Sequence, residues 1–422
     1  MTLLTKWDFK CSKKLKVLGL LTDTSLFKRI ITMKYLPITM IVDIMNLMLI
    51  TRRDGMKQYK RSFIIILIAF ITYLLRHLFS YFPQLIETYY SESINTWFIQ
   101  VLSQLTSLFP FSIFEILIYF IIIGLFGLIL YYLIRIYHKR QQWRQLIFQF
   151  LLTLFTSVCF GYTLFVWFWG LNYHRPSLEV NFGLEQRYYH ETDLINLYTY
   201  FIEQSNKTRL LVQENEQGVF IANGDYHDIF NRASVGYDVA SKTYPLLAGD
   251  YGQPKPILAS PLMNYTNITG IYSPFTAEAN VNIAVPDSTL LFTTMHEMAH
   301  QRGYASENEA NFIAFITCIH HIDTDFIYSG YLSALRYTNI ALSKVNHQAL
   351  MTLNEQLNEG VKRDLHYLNE FWAQYEGKVE KTFNNMNQTY LTLNGVSDGV
   401  QNYGRVVDLL LAYYDNQNTL AN

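Results

Sequence analysis

The stretch Phe292-Thr293-Thr294-Met295-His296-Glu297-Met298-Ala299-His300 carries the pattern H-E-x-x-H. Pro286-Asp287-Ser288-Thr289 before it is a helix-start signal, with Asp287 or Ser288 as the cap, and Gly303 after it can end the helix. Residues four apart on a helix share a face, so His296 and His300 aim two imidazoles at one point. A zinc ion accepts such a pair. Glu297 sits on the same turn, where a carboxylate can take a proton from a water whose pKa the metal has lowered.

Catalytic zinc sites use three protein ligands. The next segment, Ser306 to Phe315, reads as a second helix with Ser306 as cap and carboxylates in its first turn. Glu307 and Asn311 are four apart on one face. That spacing predicts Glu307 as the third ligand, with Glu309 as the alternative, and Asn311 a turn later to orient a histidine. Zinc enzymes with a third histidine after the glycine would need it at Ser306, so that subclass fits poorly.

The chain has 422 residues and a net charge of −1, which leaves no polybasic footprint for nucleic acid. Cys11, Cys159 and Cys318 are scattered and odd in number, so no disulfide framework is implied. Three stretches are long and apolar enough to span a bilayer: residues 62–79, 112–133 and 146–170. The third holds no charged residue, and Trp167, Trp169 and Tyr173 form an aromatic belt at its end. Arg52, Arg53, Lys57, Lys60 and Arg61 precede the first span. Arg135, Lys139, Arg140 and Arg144 separate the second from the third. The 80–111 loop has no lysine or arginine but holds Glu87 and Glu92. The positive-inside rule then makes the amino terminus cytoplasmic and everything after the third span extracytoplasmic. Three parts follow: a cytoplasmic or interfacial segment 1–61, a membrane domain 62–172 and a metal-bearing domain 173–422. Tyr35 to Ile50 is apolar but short and reads as interfacial, and Met56 is a natural alternative start for translation.

In the third part, Asp193 to Val212 (capped by Thr192) and Asp225 to Thr243 show helical spacing. Between Leu247 and Pro286 the frequent Gly, Pro and Asn predict two or three short strands, at Ile257–Ala259 and Val281–Val285 among them. A strand there can pair with an extended peptide, and Glu278 and Asn280 are candidates to touch it. Helices are predicted at Phe326 to Val345, Leu350 to Thr382 and Val400 to Asn416. Tyr331, His347, Tyr403 and Arg405 are candidates to reach the cleft and stabilise an oxyanion.

The strings ITGIYSPFTAEANVN (268–282), HEMAHQRGYASENEANFIAF (296–315) and DGVQNYGRVVDLLLAYY (398–414) resemble the bacterial membrane family called domain of unknown function 3810, over roughly Tyr59 to Tyr414. More distantly, Glu307-x-x-Ala310-Asn311 is similar to the E-x-x-A-D segment of membrane zinc peptidases of the Ste24 and HtpX type, with Asn311 in place of the aspartate. That similarity implies Glu307 as a zinc ligand, and the family resemblance implies a membrane protein with a zincin-like site.

The expected fold is mainly α: three transmembrane helices and a mostly helical, zincin-like (α+β) extracytoplasmic domain with a small sheet. The expected activity is zinc-dependent hydrolysis of peptide bonds in a peptide or protein substrate at the outer face of the bacterial cell membrane. The alternative is a non-catalytic membrane sensor or assembly factor braced by a structural zinc. A transporter fits less well, because three spans leave little room for an inverted repeat. A reporter fused to the carboxyl terminus checks the orientation. One that works only outside the cytoplasm is expected to be active, and activity of a cytoplasm-only reporter reverses the topology.

Overall fold

In the computed structural model, residues 53–184, 187–394 and 403–421 are described. Cys11, the apolar run Tyr35–Ile50 and the rest of the chain before residue 53 lie outside them, as does Val400. The chain divides after Leu67 into two compact units. The described part of the first, residues 53–67, is helical and belongs to α1 (Arg53–Phe79), which continues into the second.

Among the described residues, three helices are long and apolar enough to cross a membrane: Tyr59–Phe79 within α1, α2 (Ile113–His138) and Arg140–Phe168, most of it α3 (Trp143–Phe168). Along α2, Phe120 and Phe126 are 67% and 68% exposed. Surface of that kind belongs in lipid. The 80–111 connection is not the loop its composition predicts. It folds into helical turns at Pro83–Ile86, Glu87–Asn95 and Thr96–Ser107, and Glu87–Asn95 is a π-helix.

The remaining residues build helices around one large apolar core. Its main members are α4 (Glu191–Arg209), α5 (Asp287–Gln301), α6 (Glu307–Ile319), α7 (Thr324–Val345) and α10 (Tyr403–Ala421). α5 is buried around nearly its whole circumference, as a helix at the centre of a core must be. The helix predicted from Leu350 is broken into His347–Asn354, α8 (Glu359–Ala373) and α9 (Lys378–Leu393). Asn358 starts α8 by accepting the Val361 N–H, which supplies a helix-start signal inside an unbroken apolar pattern. The predicted Asp225–Thr243 helix is likewise two, Tyr226–Arg232 and Ser234–Ala240. α4 begins at Glu191 rather than after Thr192, because the Asp193 carboxylate closes a capping box on the His190 N–H.

Three strands form a sheet in the order β1-β3-β2: β1 (Lys255–Ile257), β2 (Gly270–Ser273) and β3 (Glu278–Asn282). β3 runs parallel to β1 and antiparallel to β2, with Gly270 opposite Val281 and Ser273 opposite Glu278. The central strand starts earlier than the apolar run Val281–Val285 predicts. Ala279 and Val281 face the core, and the alternate residues Glu278, Asn280 and Asn282 are buried on the other side. There the Glu278 carboxylate accepts the N–H groups of Ile113 (3.0 Å) and Phe114 (2.8 Å), and Asn280 accepts the Ser112 hydroxyl (2.6 Å). Glu115 accepts the N–H groups of Leu258 and Ala259 in return. An anion at a helix amino terminus is favourable, so this exchange fixes the sheet to the head of α2.

A second tie joins the connection after the first span to the core. The buried Arg175 guanidinium grips the Glu87 carboxylate at 2.7 Å through both Nε and Nη2, donates to the Gly303 carbonyl (3.0 Å) and lies over the Tyr304 ring. Removing one partner of such a pair leaves a buried charge uncompensated. Arg175→Ala is expected to destabilise the protein by about 3–5 kcal/mol. Thermal unfolding in detergent, compared with an exposed control such as Lys362→Ala, checks this.

Candidate metal centre

α5 and α6 meet across a tight turn at Gly303, whose φ of +83° is the left-handed conformation that glycine adopts most readily. The residue before α5 is Pro286, not Asp287 or Ser288. Asp287 lies inside the helix and spends its carboxylate on the Ala222 N–H. The turn sends α6 back beside α5 and brings Glu307 opposite the two histidines. His296 Nε2 lies 3.3 Å from Glu307 Oε2, and His300 Nε2 lies 3.7 Å from Glu307 Oε1. Among the described residues, His296, His300 and Glu307 form a group whose ligand atoms all lie within 4.8 Å of one another.

Arms of about 2.0–2.1 Å at tetrahedral angles put ligand atoms about 3.3 Å apart, so this set fits a zinc-sized cation. The two rings stand at 89°, their centroids 4.7 Å apart. His300 Nδ1 lies 2.6 Å from the Tyr304 carbonyl. With its proton donated there, Nε2 keeps a lone pair facing the group. Without a cation the three side chains attract one another. Burial works against charge on Glu307, yet the two imidazoles hold its carboxyl well below the usual range. Burial alone would lower His300, but the Glu307 carboxylate overrides it and lifts the ring to about 9.

Glu297 is 3% exposed, and burial pushes its carboxyl up to about 7 against the pull of His296 and His300. Oε2 has no hydrogen-bond partner among the described residues. The backbone of β2 passes so close that a Cβ on Gly270 would stand 2.4 Å from Glu297 Oε1. Only a glycine leaves room for the carboxylate beside the strand.

These residues line one side of a cleft of about 1080 Å³. Gly270, Ile271 and Tyr272 of β2, Arg336 and Tyr337 of α7, and Trp372, Phe383 and Tyr390 of α8 and α9 line it as well. Trp169, just past α3, packs its ring 4.6 Å from Tyr272 and 6.0 Å from His300.

Other candidates from the sequence lie elsewhere. Glu309 points away from the histidines. Its carboxylate accepts the Leu178 N–H at 2.9 Å, and burial raises it to about 7. Asn311 lines the cleft but accepts the Tyr337 hydroxyl, and the Tyr304 carbonyl orients His300 in its stead. Glu278 and Asn280 are buried against α2, outside the cleft lining. Tyr331 packs with Tyr200, Phe201 and Phe315. His347 and Arg405 are exposed and do not line the cleft. The side chain of Tyr403 lies outside the described residues.

The sequence reading missed the Tyr304 carbonyl and the Arg175–Glu87 pair. It read Gly270 as bordering the cleft and Trp169 as part of an aromatic belt, but not that Gly270 crowds Glu297 or that Trp169 packs beside His300. Gly270 carries a local signal, a glycine within a strand. Glu87 and Arg175 are 88 residues apart and carry none.

A family model described as protein of unknown function (DUF3810) matches residues 90–411, more than half of the chain. No curated protein and no solved structure matches.

Purified wild-type protein is expected to hold one zinc per chain, and the His296→Ala, His300→Ala double variant none. Glu309→Gln is expected to keep its zinc where Glu307→Gln loses it. Elemental analysis after dialysis reads all four.

Proposed function

The chain belongs to the DUF3810 family, and on that premise we propose that it is a membrane-bound zinc-dependent hydrolase acting on peptide bonds at the outer face of the membrane. One observation carries the reading: two imidazoles and a carboxylate at zinc-ligand spacing, beside a buried carboxyl with a free oxygen. The three residues of that group would hold the ion. When bound, zinc lowers the pKa of a water it holds to about 7 and polarises a carbonyl.

The remaining work falls to side chains and backbone. Glu297 takes a proton from the attacking water at Oε2 and delivers it to the leaving nitrogen. Gly270 lets β2 run along the carboxylate and keeps it aimed into the cleft. β2 is an edge strand of the sheet among the described residues, and Gly270, Ile271 and Tyr272 line the cleft, so an extended peptide can join it by backbone hydrogen bonds. Basic residues flank the cytoplasmic ends of the spans, which supports an extracytoplasmic place for the cleft.

Glu297→Gln separates catalysis from bracing. The variant is expected to keep its zinc and thermal midpoint and to lose hydrolysis by at least about 100-fold. Unchanged turnover of a mixed peptide pool, or an unchanged cell phenotype, would leave the metal a structural brace. Gly270→Ala is expected to resemble Glu297→Gln in the same assay, because its Cβ displaces the carboxylate.

A further inference from the structure

Resting on the hydrolase reading above, we propose that the substrate is a polypeptide anchored in the bilayer by its own apolar segment, and that it is cut within a few residues of where that segment leaves the lipid.

The metal group lies at the very end of a spanning helix. Trp169 directly follows α3, and its ring is 6.0 Å from that of His300. From Arg144 to Trp169 a helix rises about 38 Å, which falls within the 40–45 Å of a bilayer with its headgroups. With Arg144 at the cytoplasmic headgroups, Trp169 reaches the outer ones, where tryptophan prefers to sit. Two extended residues reach about 7 Å, further than the gap between these rings. A chain emerging from lipid beside α3 therefore reaches the His300 side of the group almost at once.

The far wall of the cleft rests on the spans as well. Tyr390 lines the cleft, touches the Phe165 ring within α3 at 6.2 Å, and accepts the Tyr173 hydroxyl at 2.9 Å. Asn394, just past α9, accepts from Arg76 in the last turn of α1 (3.1 Å). The end of α9 nearest the lipid leaves Leu393 74% exposed, an apolar side chain suited to the interface. A soluble peptide would have to enter a cleft walled by membrane-side aromatic rings. A tethered one is delivered there, at the raised effective concentration that confinement to one surface provides. In the reaction the C–N bond breaks, the water oxygen joins the carbonyl carbon, and Glu297 carries one water proton to the nitrogen.

The test uses the zinc-loaded full chain in phosphatidylethanolamine/phosphatidylglycerol liposomes. A mixed-sequence peptide pool is presented on a spanning apolar segment through a spacer of about 4 or about 30 extended residues, or without the segment. Mass spectrometry maps the products, and Glu297→Gln protein is the blank. Cleavage of the short-spacer pool at least about tenfold faster than the unanchored pool, close to the segment, is the expected result. Equal rates for anchored and free pools overturn the tether and leave hydrolysis standing, as does indifference to spacer length. No Glu297-dependent cleavage of any pool overturns the hydrolase reading, and this inference with it.

Discussion

The central helix α5 must be buried on nearly every side while carrying polar and ionisable residues along its length, and that constraint organises the protein around it. An unpartnered polar group in a core costs several kcal/mol, and the residues that make the site draw their partners from the segments packed around the helix. Glu297 meets the backbone of β2. His300 meets the Tyr304 carbonyl of the following turn and, with His296, the Glu307 carboxylate of α6. Gln301 donates to the Gly252 and Ala277 carbonyls, in the segments that lead into β1 and β3. The Arg302 guanidinium, at the helix end, donates to the Leu247 and Met298 carbonyls and stacks 3.6 Å from the Tyr237 ring. The sheet, the turn and the neighbouring helix are thus held in register by the polar residues that make the site.

The same logic joins this core to the apolar helices. Ser91, Asn172, Asn95 and the Phe168 carbonyl form a chain of buried hydrogen bonds of 2.8 Å each between the π-helical turn and the end of α3. Glu278 and Glu115 exchange backbone donors between the sheet and α2. Arg175 binds Glu87 on one side and the turn at Gly303 on the other, and that turn also carries the His300 acceptor. The region that carries the candidate site and the second and third apolar helices share these ties.

Much of this was legible in the chain. The spans showed because apolar length is a local property, and the pair His296 and His300 because helical period four is local too. The choice between Glu307 and Glu309 was not. Two residues apart on a helix are about 200° apart in direction, so one faces the imidazoles and the other faces Leu178. Which is which depends on how the turn at Gly303 rotates α6. Glu278 and Asn280 read as candidates to touch a peptide, but they are buried because the head of α2 supplies donors from more than 160 residues away.

From the amino acids alone came the elements with short-range causes: three apolar helices, the charge asymmetry between their connections, and one helix presenting two imidazoles and a carboxyl. Folding in three dimensions decided the third candidate ligand, the carbonyl that orients His300, the strand that crowds Glu297, and the seat of the cleft on the ends of the spans. The reason is physical. Side-chain periodicity acts over a few residues, whereas the partner that satisfies a buried polar group is whichever distant segment the packed core brings within about 3 Å.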